Sequence, residues 1–212
     1  MSRRLLPTCF LLLMFLAALP AHANSIDHLY FDNLKDLEPV ASRYSGIGIT
    51  FSSNALALTS SLVGGLGSFT NNPSGNNILA FQSGTGVTMN VAQGFSNGLA
   101  FFYSAVSKPG TVSVWSGMNG TGTLLATITL GTNGNSGCHA GTVFCVWTPV
   151  GLIFSGTAMS VTFNGAAGQI GFDSVTVGKA IPAAVPEPAS VFLLGSGLVA
   201  LSFAGRLRKY LG

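Results

Sequence analysis

Charge is scarce in this chain. Of 212 residues, 7% are Asp, Glu, Lys or Arg, against roughly 25% in an ordinary soluble domain. That scarcity excludes a charged disordered tail and a heptad coiled coil, both of which need many Lys and Glu. It also argues against the surface of a cytosolic enzyme. The net charge of +3 and the pI near 8.9 come from the two ends, where Arg3 and Arg4 open the chain and Arg206, Arg208 and Lys209 close it. Between Asn24 and Ala184, Lys35, Arg43, Lys108 and Lys179 stand against Asp27, Asp32, Asp36, Glu38 and Asp173, a net of −1. No basic cluster is there to displace counterions from a phosphate backbone, so nucleic acid is excluded as a partner.

Catalytic signatures are missing as well. Beyond the first 23 residues histidine occurs only at His28 and His139, and neither stands in a nucleophile motif. There is no Gly-x-Ser-x-Gly and no His-Glu-x-x-His. The 28 glycines fall between short strand-like segments, without the following helix that a phosphate-binding loop needs.

Long apolar runs are confined to the two ends, and both read as addresses. Met1 to Ala23 has the form of a secretory signal peptide: Arg3 and Arg4 make the positive region, Cys9 to Leu19 the apolar core, and Ala21-His22-Ala23 the small-x-small cleavage pattern. The mature chain is expected to begin at Asn24. At the other end, residues 181–188 form a linker containing Val185-Pro186-Glu187-Pro188, Ala189 to Gly205 is uncharged and apolar, and Arg206, Arg208 and Lys209 form a basic stop in the tail 206–212. The apolar stretch makes roughly 25 Å of helix, the short end of what crosses a bilayer. Basic residues after it place that end in the cytoplasm.

This order of parts resembles the PEP-CTERM sorting tail of exported proteins in Gram-negative bacteria. The matching residues are Val185, Pro186, Glu187 and Pro188, the apolar span 189–205, and Arg206 to Lys209. The resemblance implies an exosortase-type membrane protease as partner. It implies a precursor anchored in the inner membrane, a cut near the Pro-Glu-Pro motif, and delivery to the cell surface or an exopolysaccharide matrix. A plain membrane anchor that is never processed explains the apolar span and the basic stop, but not the Pro-Glu-Pro in front of them.

The body, residues 24–180, reads as one all-β domain. Thr111–Ser116, Met159–Phe163 and Val87–Val91 alternate polar and apolar residues, the pattern of half-buried strands. Leu99–Tyr103 and Leu124–Leu130 read as strands buried on both faces or nearly so. Turn clusters at Asn71–Asn76, Lys108–Gly110, Asn119–Gly122 and Thr132–Asn135 separate such segments. Short strands at near-regular spacing predict an antiparallel β-sandwich, and the length favours a jelly roll.

Cys9 leaves with the signal peptide. Cys138 and Cys145 remain, an even count in an exported chain, and are expected to form a disulfide that pins a hairpin tip. A metal site from Cys138, His139 and Cys145 lacks a nearby fourth ligand, and an oxidising compartment opposes it.

Along Gln169–Val177 the apolar parity slips across Asp173-Ser174, as a β-bulge would cause. Phe31-Asp32-Asn33-Leu34 and Phe172-Asp173-Ser174-Val175 resemble the first and last strands of carbohydrate-binding-module-like jelly rolls. That resemblance implies paired chain ends, with Asp32 and Asp173 within reach of one structural Ca²⁺, the only cofactor in view. The commoner alternative is two carboxylates that bond backbone N–H groups in bulge or turn geometry. Trp147, which follows the cysteine loop, is the aromatic expected to be exposed enough to stack on a sugar ring, and Trp115 reads as core. The expected function is that of an exported, non-enzymatic surface or matrix protein associated with exopolysaccharide. A lectin-like sugar-binding module delivered by the same tail is the first alternative. A glycan hydrolase using Asp32 and Asp173 is the second.

Overall fold

The computed structural model describes residues 27–181. The cleavage site at Ala21 and Ala23, the Val185–Pro188 motif, the apolar span 189–205 and the basic stop at Arg206, Arg208 and Lys209 lie outside them. Among the described residues no helix is long and apolar enough to cross a membrane.

Alternation of apolar and polar residues turns into twelve strands: β1 Asp27–Leu29, β2 Glu38–Pro39, β3 Ile49–Phe51, β4 Leu56–Thr59, β5 Asn77–Ala80, β6 Gly86–Phe95, β7 Leu99–Ala105, β8 Gly110–Trp115, β9 Leu124–Leu130, β10 Thr148–Leu152, β11 Ala158–Asn164 and β12 Ile170–Val177. They form a seven-stranded sheet ordered β10-β7-β12-β5-β4-β2, in which β1 also pairs with β12, and a five-stranded sheet ordered β3-β6-β11-β8-β9. Within these, β10-β7-β12-β5 facing β6-β11-β8-β9 is the strand order of an eight-stranded jelly roll, with antiparallel neighbours throughout. The expected fold class is the observed one, a β-sandwich.

The inward residues of the two sheets make one core. Phe101 and Phe172 from the seven-stranded sheet meet Phe163 from the five-stranded sheet edge to face, with ring centroids 5.8 and 5.0 Å away, and each other at 5.9 Å. Such contacts add to the area term that dominates sandwich stability. Strand β12 is buried along its whole length. β7 lies on one side of it, and β5 and then β1 on the other. Asp27–Leu29 pairs with Val177–Val175, so the first and last strands are adjacent. The register of β12 against β7 shifts between Asp173 and Thr176, and Ser174 takes a φ of 50°. The parity slip in the sequence is therefore a bulge, with an extra residue that re-aims the strand.

Two expectations are corrected. Strand β9 is not buried on both faces: its outward residues are exposed, Leu124 by 46%. It is the edge of the five-stranded sheet and, among the described residues, pairs with β8 alone. Composition could not separate this edge position from a central one, because Leu-Leu-Ala-Thr-Ile-Thr-Leu suits both. The Cys138–Cys145 disulfide is present, but it pins no hairpin tip. It closes an irregular segment that carries the chain from β9 in one sheet to β10 in the other.

That crossing segment covers part of the outer face of the seven-stranded sheet. Phe144 bridges to Phe69, and Val143 and Phe144 both donate their N–H to Ser68 O, at 2.9 and 3.0 Å. Leu58, Phe69, Ile78, Phe144 and Ile170 line a small groove there, of about 170 Å³. Asn133 fixes the start of the crossing, donating to Tyr103 O, Val146 O and Thr148 Oγ1 while accepting from the Ala105 N–H.

Candidate functional site

Where β1 ends, the chain turns sharply and its charged residues become hooks for backbone N–H groups. Phe31, at a φ of 54°, is buried, and its N–H donates to the Tyr44 hydroxyl at 3.0 Å. Its ring meets Tyr44 and Phe51 edge-on. Asp32 Oδ1 accepts the N–H groups of Asn76 and Asn77 at 2.9 and 3.0 Å. The Asn77 amide returns the tie by donating to Phe31 O and Leu34 O. Asp36 accepts from Thr59 N and Leu66 N, and Glu38 from Lys35 N. An oxygen aimed at an otherwise unmatched N–H is the usual duty of such short acidic side chains in turns.

Asp173 performs the same duty from the bulge of β12. Its Oδ2 accepts Ser74 N at 2.9 Å and the Asn72 amide at 3.3 Å. Its Oδ1 accepts the Ser74 hydroxyl at 2.7 Å and Ser174 N at 2.6 Å. The side chain is fully buried, and that burial pushes its pKa up to about 7 against the opposite pull of the four donors. Asp32 and Asp173 are thus brought together on one loop, Asn71–Asn76, which Asp32 holds from the turn after β1 and Asp173 from β12. Gly75 sits so close to the Asp32 carboxylate that a Cβ there would collide with it, and its φ is positive. What surrounds both carboxylates is a set of N–H and O–H donors. Among the described residues no group of three or more His, Cys, Asp or Glu side chains is placed to hold a metal ion.

Beside this turn opens a cleft of about 330 Å³, lined by His28, Tyr30, Asp32, Asn33, Arg43 and Tyr44 over a floor of Phe31 and Leu34. His28 and Tyr30 alternate out of β1 and stack with centroids 6.1 Å apart and ring planes 17° from parallel. His28 Nδ1 lies 3.1 Å from Thr176 Oγ1, which fixes the pair against β12. Tyr30 is 39% exposed, and Arg43 is exposed. Tyr44 is half-buried, and burial raises the pKa of its hydroxyl. The cleft therefore offers flat ring faces next to a guanidinium, an amide and a carboxylate whose Oδ2 has no partner among the described residues.

The other sequence-predicted residues lie elsewhere. Trp147 is half-buried: its N–H donates to Thr70 O at 2.9 Å and its ring meets the edge of Phe69. Its ring lies over Gly171, within van der Waals reach of where a Cβ there would stand. Trp115 lies in β8 with parity opposite to the buried Val112 and Val114, so it is on the outer face, donating to Thr162 Oγ1 at 3.2 Å. It is half-buried rather than core. The sequence reading passed over His28, Tyr30 and Arg43 as a set. The signal available was the crowding of Asp27, Asp32, Lys35, Asp36, Glu38 and Arg43 into seventeen positions of a domain otherwise nearly free of charge.

Comparison with solved structures finds four similar chains, of which two are described. One is a carbohydrate binding module from Cellvibrio mixtus lichenase 5A in complex with cellotriose, 13% identical, with a TM-score of 0.36, covering 60% of this chain and 88% of that one. The other is a cleaved adhesin domain of Lys-gingipain from Porphyromonas gingivalis, 12% identical, with a TM-score of 0.35, covering 60% and 93%. At TM-scores below one half neither likeness bears on a ligand. Comparison with curated proteins finds no match. The tail is recognised on its own: residues 184–209 match the PEP-CTERM protein-sorting motif, which makes this an exported protein carrying a sorting tail of the exosortase-substrate type.

Proposed function

We propose that the protein is a non-enzymatic component of the cell surface or extracellular matrix, sorted by an exosortase-type membrane protease, whose sandwich associates with exopolysaccharide through the His28–Tyr44 cleft. The observation that carries this reading is the exposed, stacked His28–Tyr30 pair beside Asp32, Asn33 and Arg43. Ring faces pack against the apolar faces of a sugar, and charged or amide groups at the rim bond its hydroxyls. The hydrolase alternative has little support, since both oxygens of Asp173 and Oδ1 of Asp32 accept hydrogen bonds from within the protein. Trp147 is the weaker stacking platform, because its N–H and one ring edge are engaged inside the protein.

The test is retention of the secreted protein on exopolysaccharide from the producing cell, coupled to a resin. Tyr30→Ala should abolish retention with little change in melting temperature, while Trp147→Ala should keep it wherever the variant remains folded. Equal retention of Tyr30→Ala and wild type would overturn the cleft as the sugar site.

A further inference from the structure

Between Asn24 and Ala184 the chain has one arginine, Arg43, and it stands in the His28–Tyr44 cleft. The other cations of that stretch, Lys35, Lys108 and Lys179, do not line the cleft. The turn that carries Arg43 is fixed from both sides. The Arg43 N–H donates to O of the buried Val40, and the Phe51 N–H to Ala41 O, each at 2.8 Å. The side chain is exposed and, among the described residues, makes no hydrogen bond or ion pair. Burial raises the pKa of the Tyr44 hydroxyl, whereas the Phe31 N–H and then the Arg43 charge lower it, and Asp32 raises it. Arg43 and Asp32 are therefore both near enough to act on one hydroxyl, yet no ion pair joins them among the described residues. Asp32 Oδ2 is likewise left without a partner among these residues. The cleft thus keeps a five-donor fork and a pure acceptor unspent beside the stacked His28 and Tyr30 rings.

We infer that this cleft selects a polysaccharide whose sugars carry carboxylates, with Arg43 holding the carboxylate and Tyr30 the ring face. The inference rests on the sugar-binding reading proposed above and adds the class of sugar. A planar guanidinium presents parallel N–H groups that match the two oxygens of a carboxylate, a fit that a lysine ammonium lacks. Asp32 fixes the orientation. Its free Oδ2 accepts a sugar hydroxyl and repels a second carboxylate, so the acidic group is seated on the Arg43 side. The rest of the surface supplies no general attraction for a polyanion, because the stretch from Asn24 to Ala184 has a net charge of −1. Retention of an acidic polymer by this protein is therefore local to Arg43, and a cation elsewhere on the sandwich does not share in it.

The probes are exopolysaccharide from the producing cell and the same polymer with its carboxyl groups reduced to primary alcohols by carbodiimide and borohydride. Wild-type secreted protein should bind the native polymer about tenfold more tightly than the reduced one. Arg43→Gln should lose that preference, binding the native polymer about as weakly as wild type binds the reduced one, and Arg43→Lys should fall between. Lys108→Gln, which removes an exposed cation outside the cleft, should bind both polymers as wild type does. Mild acid strips pyruvate ketals and spares uronic acids, so a preference that survives it assigns the carboxylate to the sugar ring, and one that is lost assigns it to a ketal. Thermal melts and circular dichroism confirm that each variant is folded. Equal binding of wild type to the native and reduced polymers, or of Arg43→Gln and wild type to the native one, would overturn the carboxylate inference. Tyr30→Ala separates that failure from failure of the cleft: its loss of binding to both polymers keeps the sugar site, and its equality with wild type removes the site and the inference together.

Discussion

Ser74 is joined to Asp173 twice, by its N–H to Oδ2 at 2.9 Å and by its hydroxyl to Oδ1 at 2.7 Å. A loop residue is thereby clamped to the fully buried carboxylate of the last strand, 99 positions further along the chain. Asn72 and Ser174 bring two more donors to the same group. Removing the acceptor would strand donors that water reaches poorly, the costly way to break a hydrogen bond. Asp173→Ala should therefore lose about 2–3 kcal/mol of stability at about pH 5. Urea denaturation measures it, and a change below about 0.5 kcal/mol would contradict the clamp.

Stability should depend on pH through the same group. Burial raises Asp173 from 3.8 to about 7 in the folded protein. For a raised acid, the favourable contribution is complete below the unfolded value and is lost as pH rises through the folded one. The window runs from about 4 to about 7, and at about 1.4 kcal/mol per unit the whole loss is on the order of 4 kcal/mol. Wild type should thus lose its advantage over Asp173→Ala as pH rises across that window. An advantage that stays level or grows would contradict the sign.

Calcium should leave the melting curve unchanged. Asp173 spends both oxygens on N–H and O–H donors, and Asp32 spends Oδ1 on two more. A hard cation needs those oxygens together with carbonyls or water. Melts in calcium and in EDTA should superimpose for wild type. A rise in melting temperature with calcium, absent from Asp173→Asn, would restore the cation reading.

Much of this was legible in the sequence, and the failures have physical causes. The jelly roll follows from short alternating segments punctuated by residues that tolerate positive φ, as Asn119, Gly120 and Gly122 do. The bulge was legible because Ile170 and Phe172 oppose Val175 and Val177 in parity while all four are buried. The edge position of β9 was not, since which strands stand beside it is a property of the whole sheet. The cleft was half legible: His28 and Tyr30, two apart on an extended segment, share a face. Arg43 and Tyr44 reach them only through the fold. Trp147 misled because its neighbours in sequence are a cysteine loop, whereas its neighbours in space are Phe69 and Gly171.

Reduction should loosen the crossing from β9 to β10. The Cys138–Cys145 bond closes a short loop, with a sequence separation of 7, so it contributes about 2–3 kcal/mol. For a domain of this size that is a drop in melting temperature of about 5–10 °C, visible by calorimetry with and without reductant. Free alkylation of both thiols in unreduced secreted protein would contradict the bond.

Intact mass spectrometry of the protein recovered outside the cell tests the central claim, that a sandwich is exported and released through its PEP-CTERM tail. The expected species begins at Asn24, retains the Cys138–Cys145 bond and ends near Pro186 to Pro188, without the apolar stretch and the basic stop. An extracellular chain that still contains Phe192 to Phe203 would contradict it.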